Sequence, residues 1–119
     1  MERARPGVPA ARWRRLSLDE QIANLGVDVS RAVEAAARGD GERMSAWLAA
    51  ARVEFAMTLA DKRWSSADVA ETARMRGLAE DYLVGGNAEH STPSPFEDWW
   101  MPAAIRANEA RSARLTSRS

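Results

Sequence analysis

His90 is the only histidine of this chain, it stands beside Glu89, and there is no cysteine anywhere. Thiolate nucleophiles, disulfides and thiolate metal sites are therefore excluded, and a zinc ion would find one imidazole with only carboxylates for company. A His-Glu-x-x-His helix needs two histidines, and the Glu-x-x-His spacing of di-iron bundles is missing too. Gly85-Gly86 closes an apolar helical stretch rather than following a strand, so there is no phosphate-cradling loop of the Walker kind. What remains for acid–base work is Glu80, Asp81, Glu89 and His90, and such groups need a concave pocket before they make a site. The residues give no reason to expect a metal, a cofactor or a catalytic residue.

Arginine is the other chemistry-bearing residue. In Arg74-Met-Arg76-Gly-Leu-Ala-Glu80-Asp81-Tyr82 the pairs Glu71/Arg74 and Arg76/Glu80 have the spacing of helix-surface ion pairs, each worth a few tenths of a kcal/mol. The same string resembles the motif of HEPN-type helical bundles, nucleases and their relatives, in which an arginine is followed by a histidine and then an aromatic residue. Arg74 and Tyr82 stand at matching places, with Glu80 where the family has its histidine. The resemblance implies an RNA-directed bundle without the cleavage reaction, because a carboxylate at that place repels the scissile phosphate. Arg74 and Arg76, with Arg12, Arg14 and Arg15 of the basic N-terminal arm, are then the candidate phosphate contacts.

Five tryptophans in a chain whose helical seams are rich in alanine raise a different possibility. Alanine buries little area, so Phe96, Trp99 and Trp100 offer more apolar surface than one small bundle hides, a surface for a second copy or a helical partner; Trp64 joins it as a partner anchor if exposed or, as the weightier reading, plugs the end of the bundle. Trp13 lies among Arg12, Arg14 and Arg15, where it stacks on a base or, as the weightier reading, packs onto the helix that follows.

The elements that must position these residues read as helices throughout, since no stretch alternates with period two. Ser17-Leu-Asp-Glu20 is a capping box that opens a helix with the seam Leu18, Ile22, Leu25, Val29, Ala32 and Ala36, stopped by Gly39. Gly26, in its middle, implies a close crossing. Asp40 caps a second helix carrying Met44, Trp47, Leu48, Ala51, Phe55, Thr58 and Leu59, and the short gap makes the two a hairpin. A third begins at Ser65 or Ser66 and ends at Gly85-Gly86; its wide apolar face touches more than one neighbour. Leu59 to Gly86, with this helix and its two junctions, is the stretch expected to organise the rest. Asn87 to Pro95 is a loop, Ser94-Pro-Phe-Glu97 a second capping box, and Pro102 a residue that kinks or divides the last helix.

The 119 residues, 45% hydrophobic, suffice for one core. Net charge is zero but unevenly spread: residues 1–15 carry five arginines against Glu2, residues 101–119 four against Glu109, and residues 16–100 eight basic against fifteen acidic groups. Basic ends serve nucleic acid or an acidic membrane surface or, as the weightier reading, fold back on an acidic body of the same chain or of a second copy. No run approaches the ~20 apolar residues of a membrane span, and no apolar segment of a secretory signal follows the basic start. Together these predict an all-α, antiparallel bundle of four principal helices, about 18–38, 41–60, 67–84 and 95–112, with a kinked last helix. Basic mobile segments at 1–15 and 113–119 flank it. Across residues 18–107, NLGVDVSRA, TLADKRW, RMRGLAEDY, and GGN followed by WWMPAAIRA resemble an uncharacterised family of small bacterial all-helical proteins, which supports the four-helix reading and transfers no catalytic residue. The function expected is that of a non-enzymatic, self-associating interaction protein in the cytoplasm, without a membrane or cofactor; the alternative is the HEPN-like RNA-directed protein.

Overall fold

The computed structural model describes residues 9–87, 92 and 94–117. Five helices and no strand occur among them: α1 (Ala10–Trp13), α2 (Leu18–Ala37), α3 (Gly41–Leu59), α4 (Ser66–Leu83) and α5 (Ser94–Ser117). The boundaries follow the local chemistry. Ser17 Oγ accepts from the Glu20 amide while Glu20 Oε1 accepts from the Ser17 amide, at 3.1 and 2.9 Å. Gly39 takes the left-handed backbone (φ 73°) that ends α2, and Asp40 accepts from the Arg43 amide to start α3. Ser65 caps α4 by accepting from the Asp68 amide. α5 starts at Ser94 itself, one residue ahead of the expected helix, and its cap position, Pro93, lies outside the described residues.

The organising element is α2, not the Leu59–Gly86 stretch. α2 packs along both α3 and α5, while α4 rests mainly on α3 and touches α2 and α5 more lightly. Two sets of contacts fix directions. Gln21 meets Thr58 and Arg31 lies over Trp47, so α3 runs antiparallel to α2. Asp19 meets Arg106 and Gly26 meets Trp100, so α5 does too. A helix with neighbours on two sides must be buried on two sides, and the buried set of α2 is accordingly wider than the expected seam. Gln21, Asp28 and Ala35 join Ile22, Leu25, Val29 and Ala32, whereas Ala36 is exposed.

The core gathers Trp13, Leu25, Val29, Ala51, Phe55, Met75, Ala79 and Phe96. Trp13 corrects the expected mobile arm: from Ala10 the segment is helical and its indole is fully enclosed, 0% exposed. An aromatic ring of that size brings enough apolar area to order the few residues around it. Residues 1–8 lie outside the described residues. The expected basic tail from residue 113 is likewise helical as far as Ser117. Pro102 does not divide α5, which is continuous across it. The proline removes the amide that would meet the Asp98 carbonyl, but contacts on both sides hold the helix to α2, Phe96 (3% exposed) before it, Ala103 (0%) and the Arg106–Asp19 pair after it.

Candidate functional site

Three groupings of functional side chains stand out. The first is a polar knot where α1 and the α3–α4 junction close on the start of α2. Gln21, 0% exposed, is its hub. Its Oε1 accepts from Thr58 Oγ1 at 2.9 Å and from Trp64 Nε1 at 3.2 Å, and its Nε2 donates to the Trp13 carbonyl at 3.0 Å. Thr58 Oγ1 in turn accepts from Trp13 Nε1 at 3.1 Å. Asp61 and Arg63 close the edge: Arg63 donates to Asp61 at 2.6 Å and to the Leu16 carbonyl at 3.0 Å, and its guanidinium lies 4.3 Å from the Trp64 ring centre. The hydrogen bonds from Arg63 hold the Asp61 carboxyl down at about 2. Every polar group in the knot has a partner, the arrangement that fixes a junction in place. Trp64, a partner anchor if exposed or a plug of the bundle end if buried, is half-buried and engaged by its own chain, as the plug reading has it.

The second grouping lies one stage along the α2–α3 seam. Asp28 and Glu54, 5% and 1% exposed, hydrogen-bond carboxyl to carboxyl. Such a pair needs a proton between its oxygens. Burial raises the Asp28 pKa, and the Glu54 hydrogen bond and the charge of Arg31 offset part of that rise. Paired acids with a displaced pKa are the raw material of acid–base catalysis, yet these are sealed from any substrate-sized molecule. The sequence reading missed them because it sought apolar seams. The signal was present in the 4-3 spacing Gln21, Leu25, Asp28, Ala32, Ala35 facing Ala51, Glu54, Thr58.

The third grouping is on the other side of α2. The Trp100 side chain lies against the backbone of Gly26, so close that a Cβ there would stand 2.1 Å from Trp100 Cγ. Mid-helix Gly26 is therefore the close approach its position implied, made by an indole instead of a helix backbone. Trp99 stacks on Phe55, 6.1 Å between ring centres and 7° between planes. Of the expected interaction surface, Phe96 is in the core and Trp99 and Trp100 are half-buried. Beside Trp100 a groove of about 480 Å³ opens between α2 and α5, walled by Val29, Val33, Phe96, Trp100 and Met101 and rimmed by Glu34 and Glu97. Trp100 Nε1 is buried with no acceptor among the described residues.

The candidate arginines do not converge. Arg12, Arg14 and Arg15 are exposed on and after α1, with Arg14 lining a hollow of about 520 Å³ together with Met57, Asp61, Lys62 and Arg63. Arg74 lies in a different depression, between α4 and α5, beside the carboxylates of Glu71 and Asp98. Its pairing with Glu71 is present at 3.4 Å. Glu80, expected opposite Arg76, is instead gripped by Arg52 of α3 through two hydrogen bonds of 2.6 and 2.7 Å. A two-pronged guanidinium grip outweighs a single same-helix approach, and Arg76 acts on Glu80 only through its charge; both arginines lower the Glu80 pKa, Arg52 more. Glu89 and His90 lie outside the described residues, and no group of three or more potential metal ligands occurs among the described residues. No described helix is long and apolar enough to cross a membrane.

No protein-family model, no curated protein and no solved structure matches this chain.

Proposed function

We propose that this chain is a non-enzymatic helical interaction module that associates with a second copy of itself. The observation that carries the reading is the apolar surface along α5. The groove against α2 is open, and Met101, Ile105 and Leu115 are 47%, 56% and 62% exposed on the same helix. Exposed apolar residues scattered singly are ordinary; a groove continued by a line of them is the form of a docking surface. By contrast, among the described residues Gln21 is engaged in its knot, Asp28 and Glu54 are sealed, and Glu80 is held by Arg52.

The RNA-directed reading draws support from the exposed Arg12, Arg14 and Arg15. It comes second because Arg74 is faced by acids that repel phosphate. Size-exclusion chromatography with light scattering across micromolar concentrations tests the first reading. A mass that rises toward twice that of one chain is expected; a single-chain mass throughout contradicts it.

A further inference from the structure

We infer that two copies pair antiparallel through α5, the outer half of each α5 lying along the α2/α5 groove of the other with Leu115 seated in it. This rests on the self-association reading and gives it a surface and an orientation.

The outer half of α5 calls for support. From Asn108 to Thr116 every residue is exposed, a stretch that α2, α3 and α4 leave bare. A helix of under about 12–15 residues is marginal in water on its own strength, and this length gains stability when another surface covers one side. One side is suited to it. Met101, Ile105, Asn108, Ser112 and Leu115 follow at spacings of four, three, four and three, the seam of two helices packed lengthwise.

Charge decides the direction. The start of α5 is acidic, with Glu97 and Asp98, and of these Glu97 shares the groove rim with Glu34 of α2. The outer half carries Arg111 and Arg114 against Glu109. A parallel pair would lay acids on acids and arginines on arginines; an antiparallel pair lays each arginine end over the other copy's acidic end. The seam is self-complementary in that orientation, since a two-fold axis near Asn108 sets Met101 against Leu115 and Asn108 against its own counterpart. At the axis the Asn108 side chain, which now accepts from Arg111 at 3.0 Å, has a second amide to bond, the kind of polar contact that fixes register. Leu115 brings a branched apolar side chain to a groove walled by Val33, Trp100 and Met101, with Arg111 and Arg114 just before it in the chain to meet Glu34 and Glu97.

The absence of cysteine makes the test direct. Asn108→Cys places the sole thiol of the full chain at the proposed axis, and a short bis-maleimide should convert that variant to a covalent dimer. Charge reversal should separate the orientations in sedimentation experiments. The double variants Glu97→Arg/Asp98→Arg and Arg111→Glu/Arg114→Glu should each weaken the dimer by about tenfold or more, and all four changes together in one chain should restore it. These positions are exposed, so circular dichroism should show unchanged helix content. A dimer that neither cross-links at position 108 nor responds to the reversals overturns this surface and leaves self-association standing. A wild-type chain monomeric at every concentration overturns both, and the groove then belongs to a different protein.

Discussion

The two sides of α2 are built on opposite terms. Toward α3 the seam holds glutamine, aspartate and small residues, and it is closed: the Gln21 knot is satisfied atom by atom and the Asp28–Glu54 pair is out of reach of water. Toward α5 the contact is made by large apolar groups on a glycine, tight at Gly26 and open one turn further on, where the groove begins. Buried polar groups contribute little net stability but penalise every misplacement, so the α3 side specifies one register. Apolar surface has no such directionality, and the side that uses it is the side on which we propose a second copy docks.

Gln21→Leu should be the most damaging change to that contrast. It leaves the Trp64 indole, the Thr58 hydroxyl and the Trp13 carbonyl short of their partner in the interior, and we expect a loss of about 3 kcal/mol in urea denaturation. Gly26→Ala attacks the other side. Alanine is worth about 1 kcal/mol over glycine in a helix, but the new methyl occupies the place of the Trp100 ring, and overpacking of this kind costs about 1–3 kcal/mol. The expected net result is a destabilised chain whose tryptophan fluorescence shifts as Trp100 leaves its seat; a stabilised one would mean that α5 docks loosely.

A smaller effect separates the two polar clusters on the α3 side by pH. Asp28 has its pKa raised, so the native chain binds its proton more firmly than the unfolded chain, and stability from this site falls as pH rises from the ordinary aspartate value of 3.8 toward the higher native one. Asp61, held at about 2, has the opposite sign: its contribution is complete above 3.8 and is lost as pH falls toward 2. Asp28→Asn should therefore flatten the decline on the neutral side of the stability profile and leave the acid side unchanged. Parallel profiles for the two chains would show that the Asp28–Glu54 pair carries no proton linkage.

Much of this architecture was legible in the residues. Caps act through bonds of two or three residues' reach, so Ser17, Gly39, Asp40 and Ser65 marked helix ends correctly. What local pattern does not encode is which helix becomes the centre. Apolar periodicity pointed to one seam on α2, whereas the helix has two, and the second is written in Gln21 and Asp28 rather than in leucine. The Arg52–Glu80 grip spans 28 positions, and no spacing rule favours it over the nearby Arg76. Trp13 packs onto the following helix, as its weightier reading has it, through Gln21, but its second anchor, Thr58, is 45 residues away and no local pattern marks it. The aromatic cluster of α5 was found in sequence, but its exposure was misjudged for Phe96, because the surfaces it packs against belong to other helices.

The central claim is that the uncovered line of α5 joins two chains. Analytical ultracentrifugation of the wild type beside Leu115→Asp tests it most directly. A concentration-dependent dimer is expected for the wild type and a monomer for the variant, with the same thermal unfolding of the body in dilute solution. A wild type that sediments as one chain at every concentration, or a variant that dimerises equally well, would contradict it.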